Sequence, residues 1–139
     1  MANVIKLRKG LDINLKGIAA KELVSVKEPG IYSLVPDDFT GVKPKVVVKE
    51  GENVLAGGPL FVDKNHPEVK FVSPVSGVVT SVERGERRKV LNIIVKADEN
   101  QQYVEFGKMN LAELNAEQVK EALMNAGLFA FFRQRPFDV

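Results

Sequence analysis

The sequence predicts a mainly β protein that ends in a short helix. Across residues 41–96, runs rich in Val, Ile and Phe recur between turn residues and leave almost no room for a helix. After Lys96 the period changes, and Val119, Ala122, Leu123 and Ala126 fall on one helical face. At 139 residues, with 45% hydrophobic and 27% charged content, the chain suits one compact domain with a small appendage.

The elements follow in order. Residues 4–20 are short apolar stretches broken by Lys9-Gly10 and Lys16-Gly17, which reads as small strands joined by glycine turns. Ile31-Tyr32-Ser33-Leu34-Val35 is a strand fenced by Pro29-Gly30 and Pro36-Asp37-Asp38. Residues 45–49 form the next strand, followed by the turn Glu50-Gly51-Glu52-Asn53 and the corner Val54-Leu55-Ala56-Gly57-Gly58. Strands at 59–63 and 69–73 flank the tip Lys64-Asn65-His66-Pro67, and strands at 77–84 and 89–96 flank the charged turn Gly85-Glu86-Arg87-Arg88. Asn115-Ala116-Glu117-Gln118 has the form of a capping box, and Gly127 is placed to end the helix. The apolar segment Leu128-Phe129-Ala130-Phe131-Phe132 has no evident partner in the chain, so a further domain is expected to begin there.

Composition narrows the function. Twenty Lys and Arg against eighteen Asp and Glu give a formal charge of +2, too balanced for a nucleic-acid footprint. The absence of cysteine removes disulfides, zinc ribbons, thiolate-held iron–sulfur clusters and cysteine nucleophiles. The opening Met1-Ala2-Asn3-Val4-Ile5-Lys6 has no signal-peptide core, and the most apolar run, residues 127–132, is too short to span a bilayer, so no transmembrane segment is expected.

No catalytic, cofactor-binding or metal-binding residue is assigned. His66 is the sole histidine and has no second imidazole or thiolate to complete a transition-metal site, so it reads as a surface residue. Asp37-Asp38 reads as turn chemistry after Pro36. Arg84, Arg87, Arg88 and Lys89 gather positive charge on one hairpin, and Arg133 and Arg135 do so near the end. These six are either solvated turns or a docking surface for an acidic protein partner or anionic headgroups; association weakened by salt marks docking.

Two resemblances extend this reading. Val48-Lys49-Glu50-Gly51-Glu52-Asn53-Val54-Leu55-Ala56-Gly57 followed by Ser73-Pro74-Val75-Ser76-Gly77-Val78-Val79 resembles lipoyl and biotinyl domains, which implies a barrel-sandwich hybrid. In that pattern Gly51 and Gly77 supply backbone conformations that β-carbons resist, and the valines fill a narrow interior. A carrier domain needs its modified lysine at the tip of the central hairpin; here the tip holds His66-Pro67 and Lys64 lies about three residues early, so a lipoyl- or biotin-type carrier is the alternative function.

Phe61-Val62-Asp63-Lys64-Asn65-His66-Pro67, Glu83-Arg84-Gly85-Glu86-Arg87-Arg88-Lys89-Val90-Leu91, Gly127-Leu128-Phe129 and Arg133-Gln134-Arg135-Pro136-Phe137 are together similar to the NqrA family, the A-type component of the sodium-translocating NADH:quinone reductase, as is the opening Ile5-Lys6-Leu7-Arg8-Lys9-Gly10-Leu11-Asp12. The resemblance implies three regions: strands and turns over 1–40 packing on the sandwich, the barrel-sandwich domain over 41–98, and a linker, helix and start of a following domain over 99–139. It also implies a peripheral scaffold or assembly part, on the cytoplasmic face of the bacterial inner membrane, of a complex that moves electrons from NADH to ubiquinone and exports Na+. That complex uses FAD, FMN, riboflavin and iron–sulfur centres, placed by the resemblance mostly in its other subunits; the full-length NqrA protein is associated with ubiquinone. In related subunits of other NADH-oxidising complexes, a glycine-rich loop that cradles the FMN phosphate stands where this chain has bulky residues at 128–136, which argues against a flavin here. Thr80 lies in Ser76-Gly77-Val78-Val79-Thr80, only loosely similar to the Ser-Gly-Ala-Thr context of covalent FMN attachment, and its valines suit a strand core.

Overall fold

The computed structural model describes residues 16–17, 19–110 and 112–132. The small strands expected within residues 4–20 lie mostly outside that range, as do Arg133 and Arg135. Among the described residues seven strands and one α-helix follow in the order β1 (Ile31–Leu34), β2 (Pro44–Val46), β3 (Asn53–Val54), β4 (Pro59–Asp63), β5 (Lys70–Val72), β6 (Gly77–Arg84), β7 (Val90–Ala97) and α1 (Ala116–Asn125). They form two antiparallel sheets, one ordered β1-β7-β6-β3 and the other β2-β4-β5. A mainly β fold with one short C-terminal helix is thus observed.

The interior is where the alternating apolar residues of both sheets meet. Leu60, Phe61, Phe71, Val75, Val79, Val90, Ile93 and Val95 form the buried cluster. Along β4, Leu60, Phe61, Val62 and Asp63 are all buried, so this strand is covered on both faces rather than one. Phe61 and Phe71 stack at 4.4 Å between ring centroids, and Phe39 meets Phe71 edge-on at 4.6 Å.

Short β3 pairs with only the first residues of β6, and the preceding turn completes the edge. Gly51 N–H donates to Val79 O, Val79 N–H donates to Glu52 O, and the Glu50 carboxylate accepts from Val82 N–H. The positive φ of Gly51, 83°, is what this tight turn demands. Gly77 is needed for a different reason: a Cβ there would lie 1.9 Å from Lys96 O, because β6 and β7 approach closely at the Gly77–Ala97 pair.

The stretch after β7 is tied to the sandwich. Ser76 N–H donates to the Gln101 side chain at 2.8 Å, Gln102 N–H donates to Ser76 Oγ at 2.9 Å, and Asp98 N–H donates to Ser76 O. Tyr103 then forms a parallel bridge with Ala56, with Ala56 N–H donating to Gln102 O and Val104 N–H to Ala56 O. Ser73 and Ser76 are buried, and their hydroxyls satisfy the corner: Ser73 Oγ donates to Val75 O at 2.6 Å.

The helix begins as its local sequence predicts. Asn115 accepts from Gln118 N–H, the Gln118 side chain accepts from Asn115 N–H, and Gly127 ends the helix with φ 70°. The segment after it differs from expectation. A 3-10 turn at Phe129–Phe131 sets Ala130 against the core and brings the Phe131 ring to 6.1 Å from Phe39, so this apolar run does find a partner within the chain, although Phe131 remains 67% exposed.

Candidate docking surface

The β6–β7 hairpin places Arg84, Arg87, Arg88 and Lys89 together on the surface. Pairing ends at Arg84 with Val90, and the intervening loop is closed by Gly85 N–H to Lys89 O and by Lys89 N–H to Glu86 O. The second bond spans Glu86–Arg88 in the i to i+3 manner, but Arg87 and Arg88 have φ of 53° and 61°. Two consecutive left-handed residues at the centre of such a loop give the type I′ geometry, which ordinarily selects Asn-Gly because β-carbons resist it. Gly85 lies under Leu91, whose side chain would come within 3.1 Å of a Cβ at residue 85, and Leu91 is itself 41% exposed.

Electrostatics divides these four residues. The Lys89 ammonium pairs with Asp37 at 2.6 Å, across from the 3-10 turn at Pro36–Asp38, so its charge is matched within the chain. Asp37 therefore does more than make a turn, and no local signal linked it to a lysine 52 residues away. Arg84 Nη1 lies 3.5 Å from Arg88 O, which sets its guanidinium beside the turn. Glu83 accepts from Asn92 Nδ2, while Asn92 Oδ1 accepts from Ser33 Oγ, a polar row running from β6 across β7 to β1. Arg87 and Arg88 are exposed at the turn itself.

The other singled-out residues lie elsewhere. Lys64 is exposed on the β4–β5 hairpin, where its backbone N–H donates to Lys43 O. Buried Asp63 holds that shoulder by accepting from Lys43 N–H at 3.1 Å and Asn65 N–H at 3.2 Å. His66 is exposed, 3.6 Å from the Glu68 carboxylate. Thr80 is the extra residue of a bulge between Val79 and Ser81, with its hydroxyl donating to Ile94 O. No helix among the described residues is long and apolar enough to cross a membrane.

Comparison with known proteins places this architecture. Residues 5–98 match the family described as the NqrA N-terminal barrel-sandwich hybrid domain. Proteins named as the A component of the Na(+)-translocating NADH-quinone reductase are similar along 97% of the chain: that of Actinobacillus pleuropneumoniae serotype 5b is 35% identical over 137 residues, and that of Hahella chejuensis is 38% identical over 137 residues. The protein of that name from Serratia proteamaculans is 36% identical over 139 residues. The chain spans 30–31% of the length of these relatives. The two-sheet sandwich and the match over residues 5–98 agree, and the chain belongs to the NqrA N-terminal barrel-sandwich hybrid domain family.

Proposed function

We propose that this chain is a peripheral scaffold and assembly part of a respiratory Na+-pumping NADH:ubiquinone oxidoreductase, at the cytoplasmic face of the bacterial inner membrane. In this reading residues 41–98 are the sandwich proper, residues 1–40 pack on it, and residues 99–139 lead into the rest of an NqrA protein. NADH, FAD, FMN, riboflavin, iron–sulfur and ubiquinone chemistry is done by the other subunits and by the remainder of this one. Arg84, Arg87, Arg88, Lys89, Arg133 and Arg135 serve partner docking.

The observation that carries the reading is similarity to the NqrA relatives along 97% of the chain, through the sandwich and the helix alike. The surface supports it. Leu128, Phe131 and Phe132 are exposed after α1, and Leu23, Val24 and Val26 are exposed before β1, the kind of apolar area that assembly covers. Cross-linking of the intact reductase followed by mass analysis tests it. Links from residues 84–91 or 128–132 to other subunits or to the rest of the NqrA protein are expected; a sandwich linked to neither counts against the scaffold role. The carrier alternative draws on the exposed position of Lys64, and an unmodified intact mass from the native host removes it.

A further inference from the structure

We propose that Arg87 and Arg88, held in the left-handed turn between β6 and β7, are presented to carboxylates on a partner protein surface, and that Lys89, paired with Asp37, serves docking indirectly by bracing the hairpin that presents them. The inference rests on the assembly reading above and narrows it to one turn and one chemistry.

The geometry argues for presentation. Arg87 and Arg88 occupy positive-φ positions that Asn-Gly would fill without steric cost, so stability within the chain does not account for arginine at both places. Their side chains are exposed at the end of the hairpin, and the Arg84 guanidinium is drawn beside them by Arg88 O. Leu91 against Gly85 supplies an apolar floor behind the charged tip. Guanidinium groups beside a part-exposed leucine are the composition of a protein–protein contact, where planar forks grip carboxylates in pairs.

The charge balance favours a protein over a membrane. Glu83 and Glu86 are interleaved with the arginines, and Asp37 matches Lys89. An anionic bilayer selects by summed positive charge, of which this tip has little to spare, whereas bidentate pairing selects by direction and tolerates neighbouring acids. Lys89, already 2.6 Å from Asp37, braces the hairpin against the Pro36–Asp38 turn.

The test uses the full-length NqrA protein within the reductase. The double substitution Arg87→Asn with Arg88→Gly installs the residues this turn prefers, so the protein is expected to fold at least as well, with a melting temperature equal to or above wild type. Its retention by the other subunits through purification should fall about tenfold, and the salt sensitivity of that retention should flatten. Retention within twofold of wild type overturns the inference while leaving the assembly reading in place. Wild-type protein that fails to co-purify removes the assembly reading and the inference together. Arginine-dependent binding to phosphatidylglycerol vesicles, with unchanged retention, assigns the turn to a lipid surface and also overturns the proposal.

Discussion

At the residue scale, Gly77 and Ser76 stand side by side at one crossing of the fold and are required for opposite reasons. Gly77 is required for what it lacks. A methyl group there would overlap Lys96 O, so Gly77→Ala is expected to destabilise the domain by about 3 kcal/mol, read as a lower urea midpoint with unchanged slope. Ser76 is required for what it holds: its buried hydroxyl accepts from Gln102 N–H, and Ser76→Ala should cost about 1–2 kcal/mol by leaving that donor unpaired. An unchanged midpoint for Ser76→Ala would show that water replaces the hydroxyl. The importance of Gly77 was legible in the Ser-Pro-x-x-Gly pattern, but its partner was not, because Lys96 comes from a neighbouring strand. The bond from Ser76 to Gln101, 25 residues apart, left no trace in the local sequence.

At the element scale, what could be read was what is decided locally. Strands at 59–63 and 77–84 match β4 and β6, since the turns that bound them fix both ends. The α1 cap was equally legible, and Asn115→Ala should reduce stability by about 1 kcal/mol, measurable by helical circular dichroism during unfolding. The strand expected over 45–49 is shorter, Pro44–Val46, because Lys49 N–H turns instead to the Glu52 carboxylate at 2.8 Å and starts the Gly51 turn early. The handedness of Arg87 and Arg88 could not be read, since arginine has no preference for it. Replacing them by Asn and Gly is expected to stabilise the protein by about 2 kcal/mol, visible as a higher melting temperature. The Lys89–Asp37 pair is exposed on both sides and should contribute only about 0.5 kcal/mol in a double-mutant cycle. Its value lies in placing the hairpin.

At the scale of the whole molecule, the sandwich is closed by residues beyond its last strand. Gln101, Gln102 and Val104 bond to Ser76 and Ala56, and Phe106 packs within 3.4 Å of where a Cβ on Gly57 would be. A chain ending at Asp98 should therefore be about 3 kcal/mol less stable than one ending at Asn110, in matched denaturant titrations. Equal midpoints would mean that the strap rests on an already complete barrel. This closure has a consequence for synthesis on the ribosome. The first strand of its sheet, β1, waits for Lys96 to emerge before Ile31 has a mate, and the Ala56 corner waits longer still, for Val104. Nearly the whole domain must leave the exit tunnel before the β1-β7-β6-β3 sheet is complete and can cover the β2-β4-β5 sheet, and until then β4 and its buried phenylalanine are exposed to whatever the nascent chain meets. Pauses in translation once residue 104 has left the tunnel would thus favour correct folding, and pauses before residue 96 has left it would favour aggregation.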